Sequence, residues 1–319
     1  MRSVLRLFVA RRLAVDPAAL VHPGTAPPIE IDQWDEEQPI PRDELLRRVA
    51  AVDGIVATLS DRIDSELLAA APRLRVVANH AVGYDNVDVA ACTARRVHVC
   101  NTPDVLTDAT ADLTFALILA VARRLREGER TVREGRWHYW TPTMLLGLEL
   151  RSAVLGIVGH GRIGKAVAAR ARGFGMEVIW SGGNAPGGIG LDDLLSRADV
   201  VSVHCPLTTA THHLIGAPQF ARMKRSAILV NTARGPIVDE AALVAALEAG
   251  TIGGAGLDVF EDEPRVHRGL IARDDVVLVP HIGSATGATR ARMAELALTD
   301  AARVLRGERP LHPVNEVPP

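Results

Sequence analysis

One histidine of this chain stands where an imidazole could do chemistry. The stretch VVLVPHIGSAT (Val276–Thr286) places His281 directly after an apolar run and a proline, with small residues following it. An imidazole here can be a hydrogen-bonded core residue, a metal ligand or a proton donor, because it titrates near neutral pH. Its immediate neighbours leave these three roles open.

A second stretch could bind a phosphate. In AVLGIVGHGRIGKAVAARARGFG the glycines follow an apolar strand pattern and open an alanine-rich helix. The motif GxGxxG alone is a weak signal, but between a strand and a helix it predicts a dinucleotide site. The first glycine allows a tight turn, the second lets a pyrophosphate approach the backbone, and the third lets the helix pack closely. Free N–H groups at the helix start then bind phosphate. The predicted loop consists of Gly159, His160, Gly161, Arg162, Ile163 and Gly164.

The end of the next predicted strand bears on which dinucleotide binds. Dinucleotide sites usually carry Asp or Glu there, about 20 residues past the loop, to bind the ribose 2′-OH. This chain has Ser181, Gly182, Gly183 and Asn184 instead. No carboxylate repels a 2′-phosphate at this tip, and no Lys or Arg binds one strongly. We therefore expect NADP(H) or NAD(H), with a slight lean to NADP(H).

Alternating strand and helix patterns must position these residues. Ten candidate strands run from Val4–Val9 to Val276–Val279, and Asp108–Arg126 is predicted as one long helix. The alternation predicts parallel sheets with right-handed crossovers. It occurs twice, which indicates an α/β fold with two Rossmann/flavodoxin-like domains. The segment after Ser284 is too short for a domain, so we expect it to pack on the N-terminal one. The predicted domains are a discontinuous substrate domain (1–100 plus 285–319) and a nucleotide-binding domain (101–284).

Composition excludes several classes of partner. Lys and Arg number 36 against 38 Asp and Glu, a balance that offers no electrostatic attraction to nucleic acid or an anionic membrane. The longest apolar run, Leu113–Ala122, is shorter than the roughly 20 residues that span a bilayer. Cys92, Cys100 and Cys205 form no CxxC pair and fit a reducing compartment. We therefore expect a cytoplasmic protein with no nucleic-acid or membrane partner.

Further segments carry a resemblance to a known family. They are NHAVGYDNVD (79–88), NTPDVLTDATADLTFALILAVAR (101–123), LVNTARGPIVDEAALVAAL (229–247) and GAGLDVFEDEP (254–264). Together with GHGRIG (159–164) and VPHIGSAT (279–286), and in their order along the chain, they closely resemble the D-isomer-specific 2-hydroxyacid dehydrogenases over nearly the whole chain. TLSDRID and TPDVLTDATADL are most similar to the glyoxylate/hydroxypyruvate reductase branch. SGGNAPGGIG (181–190) is several residues shorter than the usual family loop, which bears on cofactor preference.

The resemblance implies a catalytic set of three residues. His281 would be the proton donor, Glu263 its hydrogen-bonded partner, and Arg234 the cation that binds the substrate carboxylate. By position alone Arg234 and Glu263 would be taken for exposed surface charges. Reduction of a 2-keto acid requires such a set, because the developing alkoxide needs a proton and the carboxylate suits the fork of an arginine.

The resemblance also implies binding residues. Backbone N–H groups of Val82 and Gly83 would form a second carboxylate clamp, with Leu59 near the substrate side chain. Trp140 resembles a family position on an arm that packs across a homodimer, with local packing as the alternative. The cofactor contacts expected beside the glycine loop are Thr107, Ser181, Gly182, Pro206, Thr232, Ala233, Asp258, Gly283 and Ser284.

No metal site is predicted. His204, His212 and His213 could suggest one, but apart from the adjacent Cys205 no carboxylate or thiolate stands at ligand spacing from them. Hydride transfer to a keto acid needs no metal.

Three functions compete at this point. The first is an NAD(P)H-dependent enzyme that reduces a small 2-keto acid, glyoxylate or hydroxypyruvate foremost, to the D-2-hydroxy acid. The second is the same reaction on another 2-hydroxy acid. The third is a non-catalytic dinucleotide sensor that binds proteins, as corepressors of similar fold do. The intact catalytic set favours an enzyme.

Overall fold

The chain divides into two units, each with its own network of backbone contacts. The computed structural model describes residues 4–21, 27–183 and 186–317. The first unit comprises residues up to Leu106 and from Ala285 onward, and the second spans Thr107–Ser284. Residues 101–106 belong to the first unit because Asn101 N donates to His312 O and Thr102 N donates to Ala81 O.

The first unit is built on a parallel sheet. Its strands are β1 (Leu5–Val9), β2 (Ile29–Gln33), β3 (Gly54–Ala57), β4 (Val76–Asn79) and β5 (His98–Cys100), in the order β2-β1-β3-β4-β5. The N-terminal helices are α1 (Pro17–Val21), α2 (Arg42–Val49), α3 (Ser65–Ala70) and α4 (Val89–Ala94). No strand is predicted at β2 from the sequence, because an edge strand in which Ile29 and Ile31 alternate with acidic residues shows apolar side chains on one face only.

The second unit contains a six-stranded parallel sheet. Its helices are α5 (Thr107–Ala122), α6 (Leu125–Arg133), α7 (Arg162–Gly173), α8 (Leu191–Arg197), α9 (Ala217–Phe220), α10 (Glu240–Glu248) and α11 (Arg268–Ile271), with a 3-10 helix at Gly235–Ile237. Its strands are β6 (Val154–Val158), β7 (Glu177–Ser181), β8 (Val200–Val203), β9 (Ile228–Asn231), β10 (Gly254–Leu257) and β11 (Val276–Leu278). The sheet order is β11-β10-β9-β8-β6-β7. The prediction of two parallel-sheet α/β domains is confirmed.

The prediction of one helix over Asp108–Arg126 is wrong. α5 ends at Ala122, and Arg124 adopts a left-handed backbone (φ 51°) before α6 begins. The Ala122 carbonyl accepts a hydrogen bond from Leu148 N at 2.8 Å, so a distant loop competes with helix continuation. A Cβ on Gly147 would lie 2.1 Å from that carbonyl oxygen, which explains the glycine.

The C-terminal helix α12 (Gly287–Leu305) packs on the first sheet. Ala297, Leu298 and Ala301 are buried in the same core as strand residues of β1 and β4. The Arg75 guanidinium also donates to the carbonyls of Val304 and Leu305. Within the described ranges, no helix has the length and apolar character needed to cross a membrane.

Candidate active site

The carboxyl ends of the strands in the second unit lie level with one another. Val158 pairs with Ser181 on one side and Val203 on the other, Val203 pairs with Asn231, and Asn231 pairs with Leu257. The loops that follow these strands therefore share one edge of the sheet. The chain runs outward in opposite directions from β6, to β7 and to β8, which is the switch point at which open α/β sheets bind ligands.

The glycine loop after β6 has the shape of a phosphate cradle. Gly159 has φ +99°, and a Cβ there would lie 2.4 Å from Cys205 N. A Cβ on Gly164 would lie 2.4 Å from Gly159 O, so the helix start can approach the strand only without side chains. A Cβ on Gly161 would meet nothing within 4 Å, which leaves the mouth of the loop open. α7 starts here at Arg162, and its first-turn N–H groups suit a pyrophosphate.

The tip of β7 carries no acidic side chain in its described part. Ser181 O accepts a hydrogen bond from Gly159 N at 2.8 Å, and Gly182 and Gly183 both have positive φ. Asn184 lies outside the described residues. Beside the tip, the His160 ring stacks on Trp180 with centroids 4.5 Å apart. The stacked rings and the open glycine loop fit a dinucleotide that lies across the strand ends.

Arg234 follows β9 in a braced turn. The amide of buried Asn231 holds the turn from both sides, since its Nδ2 donates to Arg234 O at 2.9 Å and its Oδ1 accepts from Ala233 N at 3.0 Å. Arg234 Nη1 donates to Ala233 O at 2.8 Å. Thr232 Oγ1 lies 2.9 Å from Thr114 Oγ1, which ties the same turn to α5. The long guanidinium therefore starts from a fixed backbone.

Asp258 joins the ends of β10 and β11. It is 1% exposed, and its two carboxylate oxygens accept from Ile282 N at 2.6 Å and Gly283 N at 2.8 Å. Burial raises the pKa of Asp258, and these N–H groups and the charge of His281 only partly oppose the rise. The carboxylate thus sets the path of the chain around His281, whose own N–H donates to Asp258 O at 2.8 Å.

His281 and Glu263 form a hydrogen-bonded pair. His281 Nδ1 lies 2.9 Å from Glu263 Oε2, and Glu263 Oε1 accepts from Phe260 N at 3.0 Å. Burial opposes ionisation of Glu263, but the hydrogen bond and charge of His281, the Phe260 N–H and the charge of Arg234 outweigh it. The pKa of Glu263 is therefore lowered. An ionised Glu263 directs a proton to Nδ1 of His281 and leaves Nε2 to act on a substrate.

The structure thus brings Arg234, Asp258, Glu263 and His281 to one edge of the second unit, with the glycine loop. The remaining predicted contacts of this unit follow strands or open a helix: Thr107, Pro206, Thr232, Ala233, Gly283 and Ser284. Val82, Gly83 and Leu59 belong to the first unit. There, Asn101 Nδ2 donates to Val82 O and Asn79 Nδ2 donates to Gly83 O, both at 2.8 Å.

Two residues that support the site were not predicted from the sequence. Asn231 is the first, and its signal was an amide at the end of an apolar strand, because such a group must find hydrogen-bond partners once it is buried. Gly235 is the second: a Cβ there would lie 1.8 Å from the carbonyl carbon of Phe260. Neither residue can be assigned a role without knowing which loop lies opposite.

Comparison with known proteins decides the family. The family described as "D-isomer specific 2-hydroxyacid dehydrogenase, NAD binding domain" matches residues 115–283, just over half of the chain. The chain belongs to the D-isomer-specific 2-hydroxyacid dehydrogenases. The resemblance found in the sequence is thereby confirmed, and this dehydrogenase uses a nicotinamide dinucleotide.

Relatives cover nearly the whole dehydrogenase. A glyoxylate reductase of Thermococcus litoralis is 47% identical over 300 residues, 90% of this chain and 91% of the relative. The crystal structure of the TT0316 protein from Thermus thermophilus matches with a TM-score of 0.91 at 46% identity, covering 98% of this chain and 100% of that one. An NADPH-dependent glyoxylate/hydroxypyruvate reductase from Sinorhizobium meliloti, solved with NADP and malonate, matches at 34% identity and a TM-score of 0.82, covering 99% and 98%.

Proposed function

We propose that this dehydrogenase reduces glyoxylate, and also hydroxypyruvate, to the corresponding 2-hydroxy acid, with His281 as the proton donor. The observation that carries the proposal is the His281–Glu263 hydrogen bond of 2.9 Å at the sheet edge that also holds Arg234 and the glycine loop. The glyoxylate reductase of Thermococcus litoralis, 47% identical, supports the choice of substrate.

His281 delivers the proton. Glu263 accepts from Nδ1 and stabilises the imidazolium, so that Nε2–H can donate to the oxygen of the keto group as negative charge develops there. Proton transfer by a positioned group of this kind contributes about 10²- to 10⁴-fold to the rate. A reduced nicotinamide, when bound, supplies the hydride to the carbonyl carbon.

Arg234 holds the substrate carboxylate. Its planar fork presents parallel N–H donors to two oxygens, which fixes the plane of the keto acid as well as its position. Val82 and Gly83 supply the second clamp in this proposal. Among the described residues, nothing accepts a hydrogen bond from either N–H group, and Asn101 and Asn79 hold their carbonyls. Leu59, half-buried after β3, would border the substrate side chain.

The residues that would hold the dinucleotide are the glycine loop and the strand ends beside it. First-turn N–H groups of α7 would bind the pyrophosphate, and the Arg162 guanidinium would add a charged contact. At the β7 tip, Ser181 and Gly182 are small, so they leave space for a 2′-phosphate, and they carry no negative charge that would repel it. The NADP bound to the Sinorhizobium meliloti relative supports the lean to NADP(H).

The enzyme would work as a homodimer in the cytoplasm. The segment 125–146, here called the arm, exposes Leu125, Val132, Trp137, Tyr139, Trp140 and Leu146. Exposed apolar groups so concentrated are typical of an interaction surface, and a second copy of the chain is the partner proposed for it. Analytical ultracentrifugation would give twice the monomer mass, and a monomer at all concentrations would contradict the dimer.

The proposed location in the cytoplasm is supported by the cysteines. All three are free thiols, which fits a reducing compartment.

The test is the loss of NADPH or NADH absorbance with a panel of 2-keto acids. We expect glyoxylate and hydroxypyruvate to be turned over, and His281→Ala to lower kcat/KM by about 10²-fold or more while dinucleotide affinity is retained. Dinucleotide binding without turnover of any small keto acid would overturn the proposal and favour a sensor. Equal loss of binding and turnover in His281→Ala would indicate a structural histidine.

A further inference from the structure

A pair of adjacent histidines meets a carboxylate on the surface of the second unit. His212 and His213 end the turn that follows β8, and Glu261 comes from the loop after β10, 48 residues beyond His213. One ligand atom from each of the three lies within 4.8 Å of the others. The sequence alone showed only the histidines; the missing carboxylate is supplied by the fold.

The three side chains already contact one another. His213 Nε2 lies 2.5 Å from Glu261 Oε1, and the His212 and His213 rings stack with centroids 4.1 Å apart. All three residues are accessible to solvent to some degree, so an ion could enter and keep a water as a further ligand.

The backbone holds both partners in place. His213 has a left-handed backbone (φ 51°), and its N–H donates to Pro236 O at 2.8 Å. Glu261 is fixed on both sides by Glu240, since Glu261 N donates to Glu240 Oε1 at 2.6 Å and Glu240 N donates to Glu261 Oε2 at 3.2 Å. Holding the ligands in advance lowers the entropy lost when an ion binds.

A second carboxylate stands behind His213. Asp239 Oδ2 lies 4.0 Å from His213 Nδ1, while Asp239 Oδ1 accepts from Ala242 N at 2.9 Å as the N-cap of α10. A metal-bound histidine usually donates its other ring N–H to a carboxylate, which orients the ring and raises its basicity. Asp239 lies on that side of the ring, and a movement of about 1 Å by either side chain would bring it within hydrogen-bond distance of Nδ1 when a metal is on Nε2.

We propose that His212, His213 and Glu261 form a binding site for Zn²⁺ or a similar divalent transition metal, with Asp239 as the support of His213. Two imidazoles and one carboxylate favour zinc over Ca²⁺ or Mg²⁺, which prefer oxygen ligands throughout. A water completes a four-coordinate site. None of these four residues takes part in the proposed reduction, so the site stands or falls independently of it.

Isothermal titration with Zn²⁺, on full-length protein freed of any histidine tag, tests the site. We expect one ion per chain, a rise in melting temperature with zinc, and with Co²⁺ the visible absorption of a four-coordinate ion. His213→Ala and Glu261→Gln should each weaken zinc binding by more than about tenfold, since even supporting residues contribute that much. The control variant His138→Ala, which removes an exposed histidine from the arm, should leave zinc affinity unchanged.

The variant Asp239→Asn distinguishes the role of Asp239 in orienting His213 from its role as the N-cap of α10. Asparagine caps a helix as well as aspartate does, so the fold should be retained while zinc affinity falls about 10- to 100-fold. Zinc affinity equal to wild type in folded His213→Ala and Glu261→Gln variants would overturn the proposal. So would wild-type protein that shows neither a zinc-dependent rise in melting temperature nor cobalt absorption, because the contact of His213 with Glu261 would then be a hydrogen bond and not part of a metal site.

Discussion

Gly235→Ala should disrupt the proposed catalytic pair, His281 and Glu263, although it changes neither residue. A Cβ at this position would lie 1.8 Å from both the carbonyl carbon and oxygen of Phe260, whereas real Cβ contacts stay beyond 3.0 Å. The two loops must therefore separate by at least about 1.2 Å, a relief that overpacked sites achieve by backbone shifts.

Either way of relieving this overlap moves a residue of the proposed catalytic set. If the Phe260 loop moves, its N–H leaves Glu263, and the 2.9 Å contact of Glu263 with His281 is lost or bent. If the Gly235 turn moves instead, Arg234 moves with it. A misplacement of about 1 Å lowers the rate by about 10²-fold, so we expect kcat/KM to fall at least that much.

Steady-state kinetics with glyoxylate, run beside a dinucleotide titration, measure this effect. A loss mainly in kcat would indicate displacement of Glu263, and a rise mainly in KM displacement of Arg234. Gly173→Ala is the matched control: its Cβ would meet nothing within 4 Å at the end of α7, and kcat/KM should not change. A folded Gly235→Ala protein that binds dinucleotide and keeps wild-type kcat/KM would refute the reasoning. If it does not fold, Glu263→Asp, which is too short to keep both contacts, tests the same link.

Two further predictions concern the loop that carries Val82 and the buried imidazole of His80. Asn101→Ala should raise KM for the keto acid about five- to tenfold with kcat little changed, because Val82 O loses the hydrogen bond that holds its loop; an unchanged KM would argue against the clamp. Burial lowers the pKa of His80 to about 4, so between pH 6.5 and 4 the unfolded state binds more protons and stability is lost as pH falls. Denaturant titrations should show about 3 kcal/mol more loss from pH 7 to 4 in wild type than in His80→Gln, and parallel curves would contradict this.

Local sequence patterns were sufficient to predict the two sheets and the glycine loop. The parallel sheets follow from β-branched runs alternating with helical segments, and the cradle follows from glycines at Gly159, Gly161 and Gly164. These features depend on neighbours in sequence, so they can be predicted without coordinates. The pattern failed where distant contacts decide: β2 forms because β1 pairs with it, and α5 stops at Ala122 because Leu148 takes its carbonyl.

Residue types in order also pointed to the family, and through it to Arg234, Glu263 and His281. By itself the sequence determined which chemical groups are present and that a dinucleotide loop precedes them. Only the tertiary structure decided which groups meet. Glu263 reaches His281 across 18 residues because Phe260 N–H holds it, and Glu261 reaches His213 across 48. The physical reason is that hydrogen bonds act over about 3 Å, a distance that the folding of strands into register sets and that spacing along the chain does not.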